Sequence, residues 1–482
     1  MAAFRKKPSL PLAEELFLMD VPDRISREFH SDNFSILMTL PGVDLQTLVL
    51  RETRGALDDW NAACSLLDVR FITLSRIVLS LFTLACIAFR LGQASERSLR
   101  ARMDEYERTL RALNQYRVLA AEDDGAVLSA TEKPVEPGEY YADVPRLIRL
   151  LSRIGDLPAR EVPAESQLYQ GAVVEAVQRF QSRHGLEPDG RIDTTTLEQL
   201  NTPLRVRVRQ LELALERWRR RPYDPARPAI VLNLPEFRLR TFGAVNAAGH
   251  DPELEMKVVV GHAPEHKTPV LRSQLETVIF RPDWTVPVSI QRNELVPEIR
   301  RASNWISDNN FELVTRQGEV VGDRTVSEHL LSALSTGELL LRQKPGPKNT
   351  LGLVKFVFPN EYGVYMHDTS ARWLFAPARR DFSHGCIRLE RPEDLAEWVL
   401  RDQSGWSPDR IFAAIQGTES IAVKVKRPIQ LVTMYLTAVV MKDGEVHFFQ
   451  DIYGEDAALE KELAALPHTT AIGGTPGQPT RE

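Results

Sequence analysis

Residues 364–389, VYMHDTSARWLFAPARRDFSHGCIRL, decide what fold and chemistry we expect of this chain. This stretch brings two histidines, one cysteine and several arginines into one segment. His367 and Cys386 are far enough apart in sequence to lie on two adjacent elements that face each other. Because a cysteine is nucleophilic only as the thiolate, it needs a nearby base or cation. We therefore interpret Cys386 as a nucleophile and His367 as the general base that takes its proton and later protonates the leaving group.

The residues next to Cys386 fit this interpretation. His384 and Arg388 add positive potential, which favours the thiolate. Gly385 lets the backbone approach a substrate closely, and the amides of Gly385 and Cys386 are candidate donors to a tetrahedral oxyanion. Arg388 could also pair with a substrate carboxylate through two hydrogen bonds.

A cysteine with two nearby histidines is also compatible with a metal site or with a packed core cluster. Zinc usually takes three or four protein ligands, and here only Asp368 and Asp381 could complete the set. The chain has three cysteines and no Cys-x-x-Cys pair, so neither a thiolate zinc site nor a disulfide framework is expected. We expect no metal and no other cofactor.

The amino-acid composition of the whole chain is that of a globular protein. Of its 482 residues, 43% are hydrophobic and 26% are charged, which excludes a disordered or fibrous chain. The net charge of -6 does not suggest a nucleic-acid partner. The cluster Arg217, Arg219, Arg220 and Arg221 is interpreted as a solvated helix face.

An apolar run near the N-terminus is typical of export. The run Ile77 to Phe89 follows Arg70 and Arg76, and it is shorter than the roughly 20 residues of a spanning helix. We interpret residues 69–94 as a secretory signal or a membrane anchor, with a buried core helix as a further alternative. Translation could start near Val69, in which case residues 1–68 are unassigned and not part of the natural product. A location in the periplasm or cell envelope is expected.

Helical patterns dominate the next third of the chain. Residues 95–138 are predicted to be a helical segment followed by a polar linker. Residues 139–203 are predicted to be a small three-helix module, with Gly155 ending one helix and Asp193 capping another. Residues 204–225 form a connecting helix with apolar positions at helical spacing.

The pattern changes to strands at about residue 226. AIVLNLP, EFRLRTF and EMKVVVG are short strands separated by turn residues. The β pattern continues to residue 458, interrupted at 291–341 by a polar and mostly helical insertion over the sheet. Asp443-Gly444 marks a hairpin turn, and residues 459–482 are a tail. The fold class is therefore α+β.

Several motifs together identify a family resemblance. SHGCIR with HDT upstream, W-x-VP-x-SI at Trp284 to Ile290, and RQKPGPKNTLGLVKFVFPN from Arg342 to Asn360 resemble L,D-transpeptidases with a YkuD-type catalytic domain. The large subgroup with an inserted cap is the most similar. AVVEAVQRFQSRHGLEPDGRIDTTTLEQLN resembles the peptidoglycan-binding module of many wall enzymes.

This resemblance implies a β-rich, sandwich-like catalytic domain with a helical cap, preceded by the helical module. It implies that Cys386 is the nucleophile and that His367 is a base held by a backbone carbonyl, which Ser383 or Asp368 would supply. His384 would have a supporting role, as would Gly385 and Arg388.

The resemblance also implies a reaction on peptidoglycan stem peptides. Cys386 would form a thioester with release of D-Ala, and a second stem would attack it to give a 3→3 crosslink. Carbapenems would acylate the same thiol. The alternatives are an L,D-carboxypeptidase or crosslink-cutting amidase, attachment of an outer-membrane protein to the wall, a non-catalytic wall-binding protein, and an intracellular thiol enzyme.

Overall fold

The computed structural model describes residues 104–161, 167–220, 223–244, 251–323 and 325–465. The two N-terminal predictions, for residues 1–68 and 69–94, therefore lie outside the described residues. Among the described helices, none combines the length and apolarity that crossing a membrane requires.

The helices and strands follow the order helical module, connecting helix, β-rich part. The helices are α1 (104–121), α2 (Val144–Ile154), α3 (Ala172–Arg183), α4 (Thr194–Leu200), α5 (Leu204–Arg219), α6 (Val288–Ile290), α7 (Val296–Arg301), α8 (Trp305–Asp308), α9 (Glu328–Thr336), α10 (Pro392–Leu400), α11 (Pro408–Gln416) and α12 (Glu455–Ala465). The strands are β1 (Ala229–Asn233), β2 (Arg238–Phe242), β3 (Pro252–Gly261), β4 (Arg272–Phe280), β5 (Trp284–Thr285), β6 (Phe311–Thr315), β7 (Val320–Val321), β8 (Leu339–Gln343), β9 (Val354–Val357), β10 (Met366–His367), β11 (Asp381–Ser383), β12 (Ile387–Leu389), β13 (Ile421–Met434), β14 (Ala438–Val440) and β15 (Val446–Phe448).

Helices α2, α3 and α4 form a small module with its own apolar core. Gly155 ends α2 with a φ of 90°, a left-handed conformation that glycine adopts without steric cost. The side chain of Asp193 accepts a hydrogen bond from the Thr196 amide and so caps the start of α4. Leu147 and Leu151 are fully buried in this core.

The β-rich part is one nine-stranded sheet that closes on itself. Its order is β11-β3-β12-β10-β9-β4-β13-β1-β2, and β3 also pairs with β2. Closure is possible because β3 is long: it pairs with β2 from Pro252 to Lys257 and with β12 at Val258 and Val259. The sheet encloses an apolar core that α10 and α11 complete. The α+β class, with a β-rich part and a preceding helical module, is confirmed.

Helices α7, α8 and α9 account for most of the regular secondary structure of the insertion at residues 291–341, as expected. The insertion also contains β6, β7 and most of β8, which form a four-stranded sheet of order β5-β8-β6-β7 with the preceding β5. A π-helical turn, Gln291–Leu295, connects α6 to α7. The Gln291 amide is fully buried and bonds to the backbone of Leu334, Leu339 and Leu341, which ties this turn to α9 and β8.

The C-terminal boundary also differs from expectation. Helix α12 continues through residue 458, where the tail was predicted to begin. Leu459 is buried, and the Asp456 carboxylate forms an ion pair with Arg217 of α5 at 2.5 Å. The hairpin predicted at Asp443-Gly444 is present as β14 and β15, with Gly444 at a φ of 91°.

Candidate active site

Two short parallel strands place the predicted catalytic residues on one face of the sheet. Met366 of β10 pairs with Ile387 of β12, and His367 pairs with Arg388. The Ile387 amide donates to the Tyr365 carbonyl, so Cys386 lies beside Tyr365. Because side chains alternate along a strand, this register puts Tyr365, His367, Cys386 and Arg388 on the same face.

His367 is buried, and its ring is held by the backbone carbonyl of the next residue. Its Nδ1 lies 2.5 Å from the carbonyl oxygen of Asp368, and the Leu351 carbonyl also lies beside the ring. Burial, together with the positive charge of Arg388, lowers the pKa of His367 to about 3. The imidazole is therefore neutral at physiological pH. A proton on Nδ1, donated to Asp368, leaves Nε2 as the unprotonated nitrogen.

The half-buried thiol of Cys386 is surrounded by donors and cations. The Tyr365 amide and hydroxyl both hydrogen-bond to it, and Lys355 and Arg388 supply positive charge. Burial raises the pKa of Cys386 above its ordinary value, and these four groups oppose that effect without cancelling it. The indole of Trp284 also hydrogen-bonds with the Tyr365 hydroxyl.

Lys355 reaches this site from the neighbouring strand. It pairs with His367 across β9 and β10, and its Nζ lies 4.0 Å from the centroid of the Tyr365 ring. Burial lowers the pKa of Lys355, while its proximity to Cys386 raises it. The site thus has a cation on each side of His367, Lys355 on β9 and Arg388 on β12.

The turn that carries Cys386 is fixed by Ser383. The Ser383 hydroxyl donates to the Cys386 carbonyl at 2.6 Å and accepts from the Gly385 amide at 3.1 Å. Gly385 has a φ of 109°, which favours glycine. Because the Gly385 amide already has an acceptor, the expectation that it serves as an oxyanion donor is not supported. The Cys386 amide donates to no acceptor among the described residues.

Ser383 does not hold His367, so of the two carbonyls considered in the sequence it is Asp368 that contacts the base. The Ser383 carbonyl instead accepts from the His262 amide at 2.9 Å. The Asp368 carboxylate is buried, accepts from the Leu353 amide at 2.8 Å, and pairs with Arg372 at 2.8 Å. Burial raises the pKa of this carboxyl.

His384 points to the insertion. Its Nε2 lies 2.7 Å from Glu294 Oε1, and its ring centroid is 4.5 Å from that of His266. Glu294 belongs to the π-helical turn at the start of the insertion. His384 therefore connects the turn before Cys386 to the insertion, and it does not contact Cys386 through a hydrogen bond.

Comparison with known proteins identifies the β-rich part. Residues 227–426 match the model of the L,D-transpeptidase catalytic domain, YkuD. This segment is therefore similar to the catalytic domain of L,D-transpeptidases. Residues 141–200, which contain α2 to α4, match the family described as "Putative peptidoglycan binding domain".

A curated relative and a solved structure were also found. A Haemophilus influenzae protein named "Putative L,D-transpeptidase" is 28% identical over 248 residues, which are 52% of this chain and 48% of that protein. The chain thus spans about half the length of this relative. The structure of a fused Zn-dependent amidase/peptidase/peptidoglycan-binding domain-containing protein from Clostridium acetobutylicum is 12% identical and covers 63% of this chain and 100% of its own. Its TM-score of 0.14 supports no conclusion about this chain.

Within the L,D-transpeptidase domain, two site residues were missed in the sequence. Tyr365 precedes His367 by two positions, and the two-residue period of a strand could have placed it on the same face. Lys355 gives no such signal, because only the pairing of β9 with β10 brings it to the site.

Arg388 lies next to His367, on the face that also carries Cys386. Burial lowers the pKa of its guanidinium, and its Nε has no hydrogen-bond partner among the described residues. A buried donor without a partner costs free energy. In the same described ranges, no three His, Cys, Asp or Glu side chains are grouped to hold a metal ion.

Proposed function

We propose that this protein is a cysteine acyltransferase that forms 3→3 crosslinks between peptidoglycan stem peptides. The observation that carries the proposal is the register of β10 on β12, which aligns Tyr365, His367, Cys386 and Arg388 on one face. This face lies within the segment that matches the model of the L,D-transpeptidase catalytic domain.

In the first step, the Cys386 thiolate attacks the carbonyl carbon of the third stem residue. The carbonyl electron pair moves to oxygen and forms a tetrahedral oxyanion. When the intermediate collapses, the bond to D-Ala breaks, and the leaving amine takes the proton that His367 received from the thiol. The product is a thioester, so one difficult amide exchange becomes two easier steps.

His367 suits this role because it is neutral. With a pKa of about 3 it has a free lone pair at physiological pH, and Asp368 fixes its tautomer. Among the described residues, His367 and Cys386 do not share a hydrogen bond, and Tyr365 contacts the sulfur. Catalytic hydrogen bonds commonly tighten only when substrate is bound.

In the second step, the side-chain amine of another stem attacks the thioester. Water competes for the same carbonyl, so transfer requires a site that excludes it. The insertion, which reaches the turn before Cys386 through Glu294, is suited to this task. If water attacks the thioester instead of the amine, the same residues would act as an L,D-carboxypeptidase.

The partners follow from the same residues. Arg388, with its unpaired buried Nε, would bind a stem carboxylate, and the helical module would bind the glycan or peptide of the wall. β-Lactams of the carbapenem class would acylate Cys386. We place the protein in the periplasm or cell envelope, on the basis of the apolar run Ile77 to Phe89, which would be a signal or an anchor.

The experiment mixes the purified full-length protein with a disaccharide tetrapeptide and follows the products by mass spectrometry, with Cys386→Ala as control. We expect a dimer that has lost one alanine for each bond formed, absent with the variant. A tripeptide alone would show hydrolysis. No product and no adduct with a carbapenem would contradict the acyltransferase proposal.

A further inference from the structure

Thr268 is a buried residue that contacts the turn preceding Cys386. Its side chain is 1% exposed, and its hydroxyl donates to the Gly385 carbonyl at 2.8 Å. The same oxygen accepts from the Gly261 amide at 2.8 Å. The hydroxyl therefore donates to one backbone segment and accepts from another, which fixes its orientation.

A tyrosine holds Thr268 in turn. The Tyr453 hydroxyl accepts from the Thr268 amide at 3.2 Å and donates to the Gly261 carbonyl at 2.6 Å. Gly261 cannot be larger, because a Cβ there would lie 1.7 Å from the His266 carbonyl oxygen and 2.9 Å from the Gly385 Cα. Close backbone approach thus brings Thr268 against Gly385.

The hydrogen bonds of Thr268 and Ser383 together hold three consecutive peptide groups around Cys386 in place. The Gly385 amide is bound by Ser383, the Gly385 carbonyl by Thr268, and the Cys386 carbonyl again by Ser383. The Ile387 amide donates to the Tyr365 carbonyl. The Cys386 amide, in contrast, has no acceptor among the described residues.

In a trans peptide group the C=O and the N–H point in opposite directions. Since Thr268 holds the Gly385 carbonyl toward the buried side, the Cys386 N–H must point away from that side. We propose that Thr268 is a positioning residue that aims the Cys386 amide at the oxyanion of the acyl-transfer step, with Tyr453 fixing Thr268. This inference rests on the proposed acyltransferase function.

The consequence is specific to reactions that develop an oxyanion. When the thiolate attacks a carbonyl, the electron pair on oxygen is stabilised by a donor already in place, and losing one such donor costs about 100- to 1000-fold in rate. A donor that is present but misaligned costs less. Alkylation of the same thiolate by iodoacetamide displaces iodide at a saturated carbon and forms no oxyanion, so it does not use this donor.

The test compares these two reactions at Cys386 in Thr268→Val and Thr268→Ser. We expect the Val variant, which keeps the side-chain shape but loses the hydroxyl, to be acylated by a carbapenem about 10- to 100-fold more slowly than the wild type. Its iodoacetamide rate and the pH profile of that rate should stay within about twofold, since the thiolate itself is unchanged. The Ser variant, which keeps the hydroxyl, should recover acylation to within about threefold.

Equal losses in both reactions would show a merely structural role and overturn the proposal, as would normal acylation of the Val variant. If the Val variant does not fold, Tyr453→Phe provides the same comparison one bond further away, and an unchanged acylation rate there would contradict the proposal. A wild type that is alkylated but never acylated would instead refute the acyltransferase function on which this inference depends.

Discussion

Glu294 Oε1 lies 2.7 Å from Nε2 of His384, so the first turn of the insertion is attached to the turn that carries Cys386. Both side chains are partly exposed, and pairs of this kind contribute about 0.2–1 kcal/mol. That range is small for the stability of the fold. We expect it to be large enough to change the access of water to a thioester at Cys386.

We expect Glu294→Gln to increase the hydrolysis of the acyl-enzyme by about two- to fivefold, because the weaker contact lets water in more often. Acylation should change less. The measurement is the loss of a carbapenem or stem-peptide adduct over time by mass spectrometry. Glu298→Gln is the matched control, since Glu298 pairs with Arg301 on the same insertion. Equal deacylation by both variants would contradict this role of Glu294.

Lys355 is predicted to keep the Cys386 thiol reactive. Removing its charge in Lys355→Met should raise the pKa of Cys386 further, because a nearby cation favours the thiolate. Below the thiol pKa, we expect alkylation by iodoacetamide to be about three- to tenfold slower, corresponding to about half to one pKa unit. The alkaline midpoint of the rate should move to higher pH.

The control for this variant is Lys348→Met, whose ammonium group donates to the Asp308 carbonyl on the insertion. Its pH profile should match that of the wild type. A shift of the same size in both variants would show a general effect of net charge, and no shift in Lys355→Met would show that Lys355 does not act on the thiol.

The features with strong local signals could be predicted from the sequence. The module was recognisable from the apolar stripe of α2 with Gly155 at its end, and from the cap at Asp193, because helix periodicity and caps are local. The Asp443-Gly444 hairpin is equally local. His367 and Cys386 were identified by residue type and spacing, and the register of β10 on β12 brings both to one face of the sheet.

The strands of the insertion and part of the site could not be predicted, for physical reasons. Strand β6 reads FELVT and β8 reads LLLRQ, and such short apolar runs have no period that separates a strand from a buried helix turn. Lys355 and Thr268 reach the site through strand pairing and loop packing across the fold. Both are distant from Cys386 along the chain, so their proximity appears only when the sheet is assembled.

His184 should make the module less stable in acid. It is buried, stacks on Phe180 with ring centroids 3.8 Å apart, and its pKa is lowered well below 6.5, chiefly by burial. The unfolded chain therefore binds a proton as the pH falls below about 6.5 while the folded chain does not, so this stability is complete above that pH and is lost below it.

We expect the free energy of unfolding to fall with pH more steeply in the wild type than in His184→Gln, by up to about 1.4 kcal/mol for each pH unit below 6.5. Urea unfolding between pH 7 and pH 4.5 measures this slope. His329→Gln, at an exposed site, should keep the wild-type slope. Identical slopes in all three proteins would exclude His184 as the source.

The module is predicted to depend on one buried charge for its attachment to the catalytic domain. Arg183 binds the Asp156 carboxylate, donates to the Val446 carbonyl at 3.0 Å, and lies within hydrogen-bonding distance of the Tyr116 hydroxyl. Both members of the ion pair have side chains that are only 4% exposed. Removing one partner leaves a buried charge without compensation, which costs about 3–5 kcal/mol.

Arg183→Met should therefore destabilise the protein by about that amount, while Arg183→Met combined with Asp156→Leu should recover much of the loss, because no buried charge then remains. Arg191→Met is the control: its partner Glu136 is exposed, so we expect a cost of about 0–1 kcal/mol. The measurement is urea unfolding of the four proteins. If the double variant is no more stable than Arg183→Met, the contacts of Arg183 with Val446 and Tyr116, rather than its charge, hold the module in place.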